Sequence, residues 1–183
     1  MWTFDAEEKY MRERKWRFQQ DRTDRVRFWL DCEFMEGGSL DLISIGVVSE
    51  NGVEYYAVNS GFDENKADQW VKDNILPVLG THDRKSRDEI KRDLIEFVGD
   101  CAPEFWSYFG AHDWVVLCNL FGGLFNLPKK WPHYCKDLKQ WTDDLGDPEL
   151  PTMVMSKRHN ALFDARWHRE VYYFLINQKQ IER

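Results

Sequence analysis

Residues 26–34 read VRFWLDCEF, a pattern that is typical of a β-strand. Every second residue in it is apolar, and Asp31 and Glu33 occupy positions between the apolar ones. Successive side chains of a β-strand point to opposite faces, so the alternation predicts a strand with one apolar face and with both acids on the other. Two acids on a central strand are costly unless a group such as a divalent cation binds them, whereas on an exposed strand face they need no ligand. The pair alone leaves both interpretations open.

Two further strands are predicted directly after this one. Residues 40–49 are rich in Leu, Ile and Val. Residues 53–58 follow the dipeptide Asn51-Gly52, which is typical of a tight hairpin turn. We therefore expect the first three strands to pair in antiparallel order.

Helical periodicity and helix-capping residues dominate the rest of the chain. The predicted order is a helix at 63–76, a helix at 86–98, a strand at 104–110, a helix at 113–121 and a helix at 160–181. Residues 127–132 and 144–152 are expected to be loops. A meander followed by alternating helices and a strand predicts one α/β domain, with a mixed sheet flanked by helices.

Size and composition exclude several classes of protein. The chain has 183 residues and a net charge of −7, which fits one ordinary domain and argues against binding of duplex nucleic acid through a basic surface. No apolar run approaches the roughly 20 residues that cross a bilayer, and residues 1–25 lack an apolar secretion core. The 4 cysteines are far apart, which favours reduced thiols. We expect a cytoplasmic protein with no membrane partner, a charged helical extension at residues 1–25 and one domain at residues 26–183.

A second group of polar residues lies at the start of the last predicted helix. His159 and Asp164 are five positions apart, so they do not share one helix face. If His159 lies in the preceding loop, both side chains can reach one point, with Asp164 as a metal ligand and His159 as a general base for water. The small residues Ala161 and Ala165 would let this helix lie close to the strand of Asp31. The alternative is that His159 and Asp164 cap and solvate the helix start.

A further acid, Asp113, follows the predicted fourth strand and precedes a helix. Open α/β sheets place ligand-binding residues beyond such strand ends. Asp113 is also a good N-cap for a helix that begins at Trp114, and the two roles are compatible. The dipeptide His112-Asp113 occurs in metal-dependent phosphohydrolases as well, but the histidines of this chain are scattered rather than placed at helical spacings. We therefore set that class aside.

Together these residues resemble the DEDDh 3′–5′ exonucleases, which have a ribonuclease H-like fold. The first family motif matches residues 31–34, and the closing motif, His-x-Ala-x-x-Asp, matches residues 159–164. The chain is most similar to the mycobacterial-type polyadenylate-specific 3′-exoribonuclease branch, from residue 27 to about residue 176. The middle motif departs from the family pattern, because His112 directly precedes Asp113 where many members have an aromatic residue.

The resemblance implies a metal-dependent 3′–5′ exoribonuclease that hydrolyses single-stranded RNA from its 3′ end to 5′-monophosphates. It implies two divalent cations, Mg²⁺ or Mn²⁺, and His159 as the general base. Phe34 and Met35 are expected to stack on the terminal bases, with core packing as the alternative, and Asn160 is expected to contact substrate. The implied ligands of the two cations are the four acids Asp31, Glu33, Asp113 and Asp164.

Two other functions stay open at this point. One is a 3′–5′ DNA exonuclease of the same fold, because discrimination of RNA from DNA requires contacts to the 2′-hydroxyl that the sequence does not locate. The other is a non-catalytic ribonuclease H-like module that binds nucleic acid or a protein. Single-stranded RNA is the expected partner. Single-stranded DNA, structured RNA with a 3′ overhang and a homodimer are open alternatives.

Overall fold

One mixed sheet forms the centre of the molecule. The computed structural model describes residues 25–36, 40–80, 82 and 84–181. The strands are β1 (Arg25–Met35), β2 (Asp41–Ser49), β3 (Glu54–Asn59), β4 (Arg84–Lys85), β5 (Ala102–Ser107) and β6 (Lys136–Asp137). Their order across the sheet is β4-β3-β2-β1-β5-β6. The pairs β1–β2 and β2–β3 are antiparallel, and the pairs β1–β5, β3–β4 and β5–β6 are parallel. The predicted antiparallel meander and the α/β, ribonuclease H-like architecture are confirmed.

Helices flank this sheet. Within the described residues they are α1 (Gln69–Asn74), α2 (Arg87–Val98), α3 (Ala111–Leu120), α4 (Leu138–Asp144) and α5 (Ala161–Ile181). The start of α2 has the predicted capping box, in which the Ser86 hydroxyl accepts from the backbone N–H of Glu89 and the Glu89 side chain accepts from the backbone N–H of Ser86. None of the helices in the described part of the chain is both long and apolar enough to cross a membrane.

Some predicted boundaries are wrong. The helix predicted at 63–76 is interrupted, because Asp63 caps only a 3₁₀ turn at Glu64–Lys66 and a second cap, Asp68, begins α1. The fourth strand ends at Ser107 rather than at residue 110, because the chain turns at Phe109, whose φ is 59°. The two-residue strands β4 and β6 and the helix α4 were not predicted. The predicted extension, apart from Arg25, lies outside the described residues.

Strand β1 is covered on both faces. On one face Phe28 and Leu30 belong to the largest apolar cluster, which includes residues of α2 and α3. On the other face Trp29 packs with Val171 and Leu175 of α5. Asp31 and Glu33 follow Trp29 on this second face, because strand side chains alternate. The two acids therefore lie on the side of the sheet that α5 covers.

The first turn of α5 lies unusually close to the sheet. Gly46 of β2 pairs with Asp31 of β1. A Cβ atom added to Gly46 would lie 2.3 Å from the carbonyl carbon of Ala161 and 2.4 Å from the backbone nitrogen of Leu162. Ala161 and Ala165 are fully buried, as their predicted role in close packing requires. The absence of a side chain at Gly46 allows the start of α5 to approach the carboxylates of β1.

Candidate active site

The structure brings all five predicted catalytic residues to one cavity. Strand β1 supplies Asp31 and Glu33, the first turn of α3 supplies Asp113, and the first turn of α5 supplies Asp164. His159 lies just before α5. These residues line a cavity of about 470 Å³. The four acids thus converge from three elements that are distant in sequence.

Asp113 is held by two hydrogen bonds rather than by a capping role. It is the third residue of α3, and Gly110 occupies the N-cap position, so the predicted N-cap at Asp113 is wrong. The parallel pairing of β1 with β5 ends at Trp29 and Trp106, which leaves the Cys32 amide free of that strand. The backbone N–H of Cys32 donates to Oδ1 of Asp113 over 3.1 Å, and the buried Ser107 hydroxyl donates to Oδ2 over 2.5 Å. Asp113 is therefore oriented from both neighbouring strands.

Asp164 has one satisfied and one unsatisfied oxygen. The backbone N–H of His159 donates to Oδ2 of Asp164 over 2.9 Å. The other oxygen, Oδ1, is buried and has no hydrogen-bond partner among the described residues. A buried acceptor without a partner is costly unless another group binds it. This atom is suited to bind a cation.

The loop residue His159 has a constrained conformation. Its φ is 66°, which non-glycine residues adopt rarely. The ring forms a T-shaped contact with Trp70 on α1, with 4.9 Å between the ring centroids. Burial and the neighbouring Arg158 lower the pKa of His159 below its ordinary value. The imidazole is therefore neutral near pH 7 and can accept a proton.

Burial raises the pKa of each acid in the cluster, and for Asp31, Glu33 and Asp113 the charges of neighbouring carboxylates add to this effect. Burial, and then the charges of Asp113, Glu33 and Asp164, raise the pKa of Asp31 well above its ordinary value. Burial raises the pKa of Glu33 to about 8 and that of Asp164 to about 6. Burial also raises the pKa of Asp113 to about 7, although its hydrogen bonds from Ser107 and Cys32 act in the opposite direction. Near pH 7 the cluster retains protons that a bound cation would displace.

The donor set fits a divalent cation. One potential ligand atom from each of Glu33, His159 and Asp164 lies within 4.8 Å of the other two. Carboxylate oxygens predominate in the cluster, and Mg²⁺ and Mn²⁺ prefer such ligands. The unsatisfied oxygen of Asp164 supports the same conclusion.

The three predicted substrate-contacting residues have different surroundings. Phe34 lines the cavity, and its ring centroid is 5.8 Å from that of His112. Met35 packs against the apolar cluster that includes Ile43, and it is not among the described residues that line the cavity. Asn160 is also outside that lining set. Its side chain donates to the Val78 carbonyl over 2.7 Å and accepts from the first backbone N–H groups of α5, so it caps this helix.

Sequence reasoning missed a buried histidine beside the cluster. His168 is one helical turn after Asp164, so both lie on the same face of α5. Its Nδ1 is 3.0 Å from the Leu30 carbonyl oxygen, and its Nε2 is 3.8 Å from Oδ1 of Asp31. Burial lowers the pKa of His168 to about 4, so the ring is neutral near pH 7. The spacing of four residues from Asp164 was the signal that could have identified His168.

The chain is similar in sequence to a known domain family and to two named proteins. Among solved structures, that of the yeast NOT1 MIF4G domain co-crystallised with CAF1 matches with a TM-score of 0.43 and 14% identity, over 87% of this chain and 85% of that chain. The model of the 3′–5′ exoribonuclease Rv2179c-like domain matches residues 26–176. Two Mycobacterium tuberculosis proteins are each 41% identical to this chain over 148 residues, which is 77% of this chain and 88% of theirs. They are 3′–5′ exoribonuclease Rv2179c (strain ATCC 25618 / H37Rv) and 3′–5′ exoribonuclease MT2234.1 (strain CDC 1551 / Oshkosh). The family resemblance inferred from the motifs is confirmed, and the chain belongs to the Rv2179c-like 3′–5′ exoribonuclease domain family.

Proposed function

We propose that this protein hydrolyses single-stranded RNA from the 3′ end and releases 5′-monophosphates, with two divalent cations, Mg²⁺ or Mn²⁺, at the acid cluster. The convergence of four acids and His159 on one cavity carries the proposal. A binding module without catalysis has no need of four clustered acids whose pKa values are raised. Membership in a family of 3′–5′ exoribonucleases supports the same reaction.

In this proposal Asp31, Glu33, Asp113 and Asp164 are the ligands of the cations. Bound cations would lower the pKa of water and stabilise charge on the phosphate and the leaving oxygen. The chain itself supplies orientation, because Ser107 and the Cys32 amide fix Asp113, and the His159 amide fixes one oxygen of Asp164. These hydrogen bonds fix two of the four carboxylates before substrate binds.

His159 is the proposed proton acceptor. Its neutral ring at the cavity accepts a proton from the attacking water, whose oxygen forms a bond to the scissile phosphorus. The bond from phosphorus to the 3′ oxygen of the preceding nucleotide breaks, and that oxygen takes up a proton from solvent. The products are a 5′-monophosphate and an RNA with a new 3′-hydroxyl.

An assay with RNA labelled at its 5′ end tests the proposal. The purified protein is incubated with RNA, with DNA of the same sequence and with RNA blocked at its 3′ end, each in Mg²⁺, Mn²⁺ or chelator. We expect RNA with a free 3′ end to be shortened from that end in the presence of metal. The blocked RNA, the DNA and the samples with chelator should stay intact. The Asp31→Asn variant should lose at least about 100-fold in rate, because several kcal/mol of transition-state stabilisation depend on the cation site. Asp143→Asn, at an exposed ion pair of α4, is the matched control and should retain full activity.

Three outcomes would contradict the proposal. Full activity of Asp31→Asn would show that the acid cluster is not the active site. Shortening of DNA but not of RNA would favour the DNA exonuclease instead, and tight binding of RNA without shortening in either metal would favour a binding module. A homodimer stays a prediction, which sedimentation of the same sample measures.

A further inference from the structure

We propose that the mouth of the cavity holds a second nucleotide subsite, in which Arg158 binds the phosphate on the 5′ side of the scissile linkage and Phe109 stacks on a nucleobase. This inference rests on the proposed function and specifies how the same site binds the RNA chain. It concerns two residues outside the acid cluster, and each is carried by its own observations.

Arg158 is a cation beside a concentration of negative charge. It lines the cavity with the acid cluster, and it is the single Lys or Arg among the described residues that do so. Within the described part of the chain its guanidinium has no hydrogen-bond or ion-pair partner. A guanidinium presents a fork of N–H groups that matches phosphate oxygens. An exposed Arg at the entrance of this cavity, with no such partner among the described residues, is suited to a phosphate of the substrate.

The position of Arg158 relative to the acids indicates which phosphate it contacts. Glu33 and Asp164 are each 7% exposed, whereas the Arg158 side chain is exposed to solvent at the mouth. The scissile phosphate must reach the buried carboxylates, and the rest of the RNA must leave through the mouth. The next phosphate along the chain is therefore the one that passes Arg158.

Phe109 presents an exposed aromatic ring at the same cavity. The side chain is 65% exposed. The backbone of Phe109 adopts a φ of 59°, which is rare for a non-glycine residue. Its ring contacts the edge of Tyr108 at 5.0 Å between centroids, and Tyr108 contacts Trp167 at the same distance. Met155, 69% exposed, also lines the cavity. An exposed aromatic ring can stack on any nucleobase, and a thioether makes favourable contacts with aromatic rings.

If Arg158 acted only through its charge on the neighbouring acids, a different result would be expected. The charge of Arg158 lowers the pKa of both Glu33 and Asp164. If this were its whole function, removal of the charge would alter the affinity for metal but not the dependence on a substrate phosphate. The two roles are separated by changing the charge of the phosphate as well as that of the side chain.

The first experiment is a cycle of two perturbations. Removal of a single 3′ nucleotide is measured at saturating metal, with RNA that carries either a normal phosphate or a neutral methylphosphonate at the linkage 5′ to the scissile one. Both RNAs carry a 2′-O-methyl group beside that linkage. We expect wild-type protein to lose about 10- to 100-fold in kcat/KM on the neutral linkage, and Arg158→Gln to lose as much on normal RNA. On the neutral RNA, Arg158→Gln should lose less than about 2-fold further, since the contact is already absent.

Lys157→Gln is the matched control, because Lys157 lies over the Phe163 ring and outside the described cavity lining. Lys157→Gln should lose as much in kcat/KM on the neutral linkage as wild-type protein does. Additive losses from Arg158→Gln and the neutral linkage would overturn the phosphate contact. If wild-type protein shortened none of these RNAs, the proposed function would fail and the subsite with it, which is a different result from normal shortening with additive losses.

The second experiment tests the base platform. Phe109→Ala should lose about 5- to 100-fold in kcat/KM on normal RNA, and less than about 2-fold on RNA that lacks the base of the penultimate nucleotide. Phe125→Ala is the control, because Phe125 is 88% exposed, contacts His133 and is not among the described residues of the cavity. Equal losses of Phe109→Ala on both substrates would overturn the stacking role.

Discussion

At the scale of single residues, Asp113 shows how a side chain obtains its role from partners that are remote in the chain. Its position after a strand predicted a ligand-binding acid, and the structure places it at the cavity. The donors that orient it, Ser107 and the amide of Cys32, could not be predicted, because no sequence pattern shows which distant donor a carboxylate will meet. Buried hydrogen bonds of this kind emerge only when the strands are assembled.

Removal of the Ser107 hydroxyl tests this orientation. We expect Ser107→Ala to weaken the affinity for Mn²⁺ by about 10- to 100-fold, as is typical when a partner of a metal ligand is removed. The fold should be retained, because the substitution deletes one buried oxygen. Calorimetric titration with Mn²⁺ measures the change, with the exposed Ser60→Ala as control. An unchanged affinity would mean that the contact of Ser107 with Asp113 does not contribute to metal binding.

At the scale of helices and strands, the close contact of α5 with β2 determines the geometry of the site. The sequence indicated half of this contact, since Ala161 and Ala165 suggested a close approach. The other half, Gly46, was not predicted, because a glycine within a strand has no signal that identifies what packs over it. The pairing of Gly46 with Asp31 places this contact directly beside the acid cluster.

A methyl group at Gly46 should displace α5. The added Cβ would lie 2.3 Å from backbone atoms of Ala161, which cannot move as a flexible side chain can. We expect Gly46→Ala to lower the free energy of unfolding by about 3 kcal/mol, near the upper end for overpacking, and to reduce activity in the molecules that remain folded. Urea unfolding and the RNA assay measure both effects.

Gly61→Ala is the control for this substitution, because a Cβ at Gly61 would meet only the Asn59 side chain at 3.4 Å. It should change stability by less than about 0.5 kcal/mol. If Gly46→Ala were as stable and as active as Gly61→Ala, the close approach of α5 would not determine the site geometry.

The length of each element decided how well it could be predicted. Strands β1, β2 and β3 have six or more residues, and their apolar patterns located them within one or two residues. The two-residue strands β4 and β6 have too few residues for any periodicity, and only their parallel pairing with β3 and β5 defines them. The helix predicted from Asp63 was wrong because a second aspartate cap, Asp68, lies five residues later.

At the scale of the whole molecule, the acid cluster makes stability depend on pH. Burial holds the pKa of Glu33 at about 8 and that of Asp113 at about 7, whereas unfolded carboxyl groups titrate near pH 4. The metal-free folded state therefore keeps protons that the unfolded chain has already released, and its stability falls as the pH rises through this window. His168, with a pKa of about 4, acts in the opposite direction only below about pH 6.5.

We therefore expect the free energy of unfolding of the metal-free protein to decrease between about pH 6.5 and pH 8. The slope is about 1.4 kcal/mol per pH unit for each proton that the folded state alone retains. Saturating Mn²⁺ should reduce this slope, because the cation displaces the protons. Urea unfolding at several pH values, with and without Mn²⁺, measures this slope. A stability independent of pH in chelator would mean that the acids are ionised in the folded state.

Bound metal ions and activity, measured in the same sample, test whether the acid cluster is an active site that holds two cations. Electron paramagnetic resonance measures the Mn²⁺ ions bound per chain in the presence of a 5′-monophosphate product, while RNA shortening is followed in parallel. We expect two bound ions and full activity for wild-type protein, and loss of at least one ion together with activity for Asp164→Asn. Shortening of RNA at the normal rate by a protein that binds no Mn²⁺, or by Asp164→Asn, would contradict this expectation.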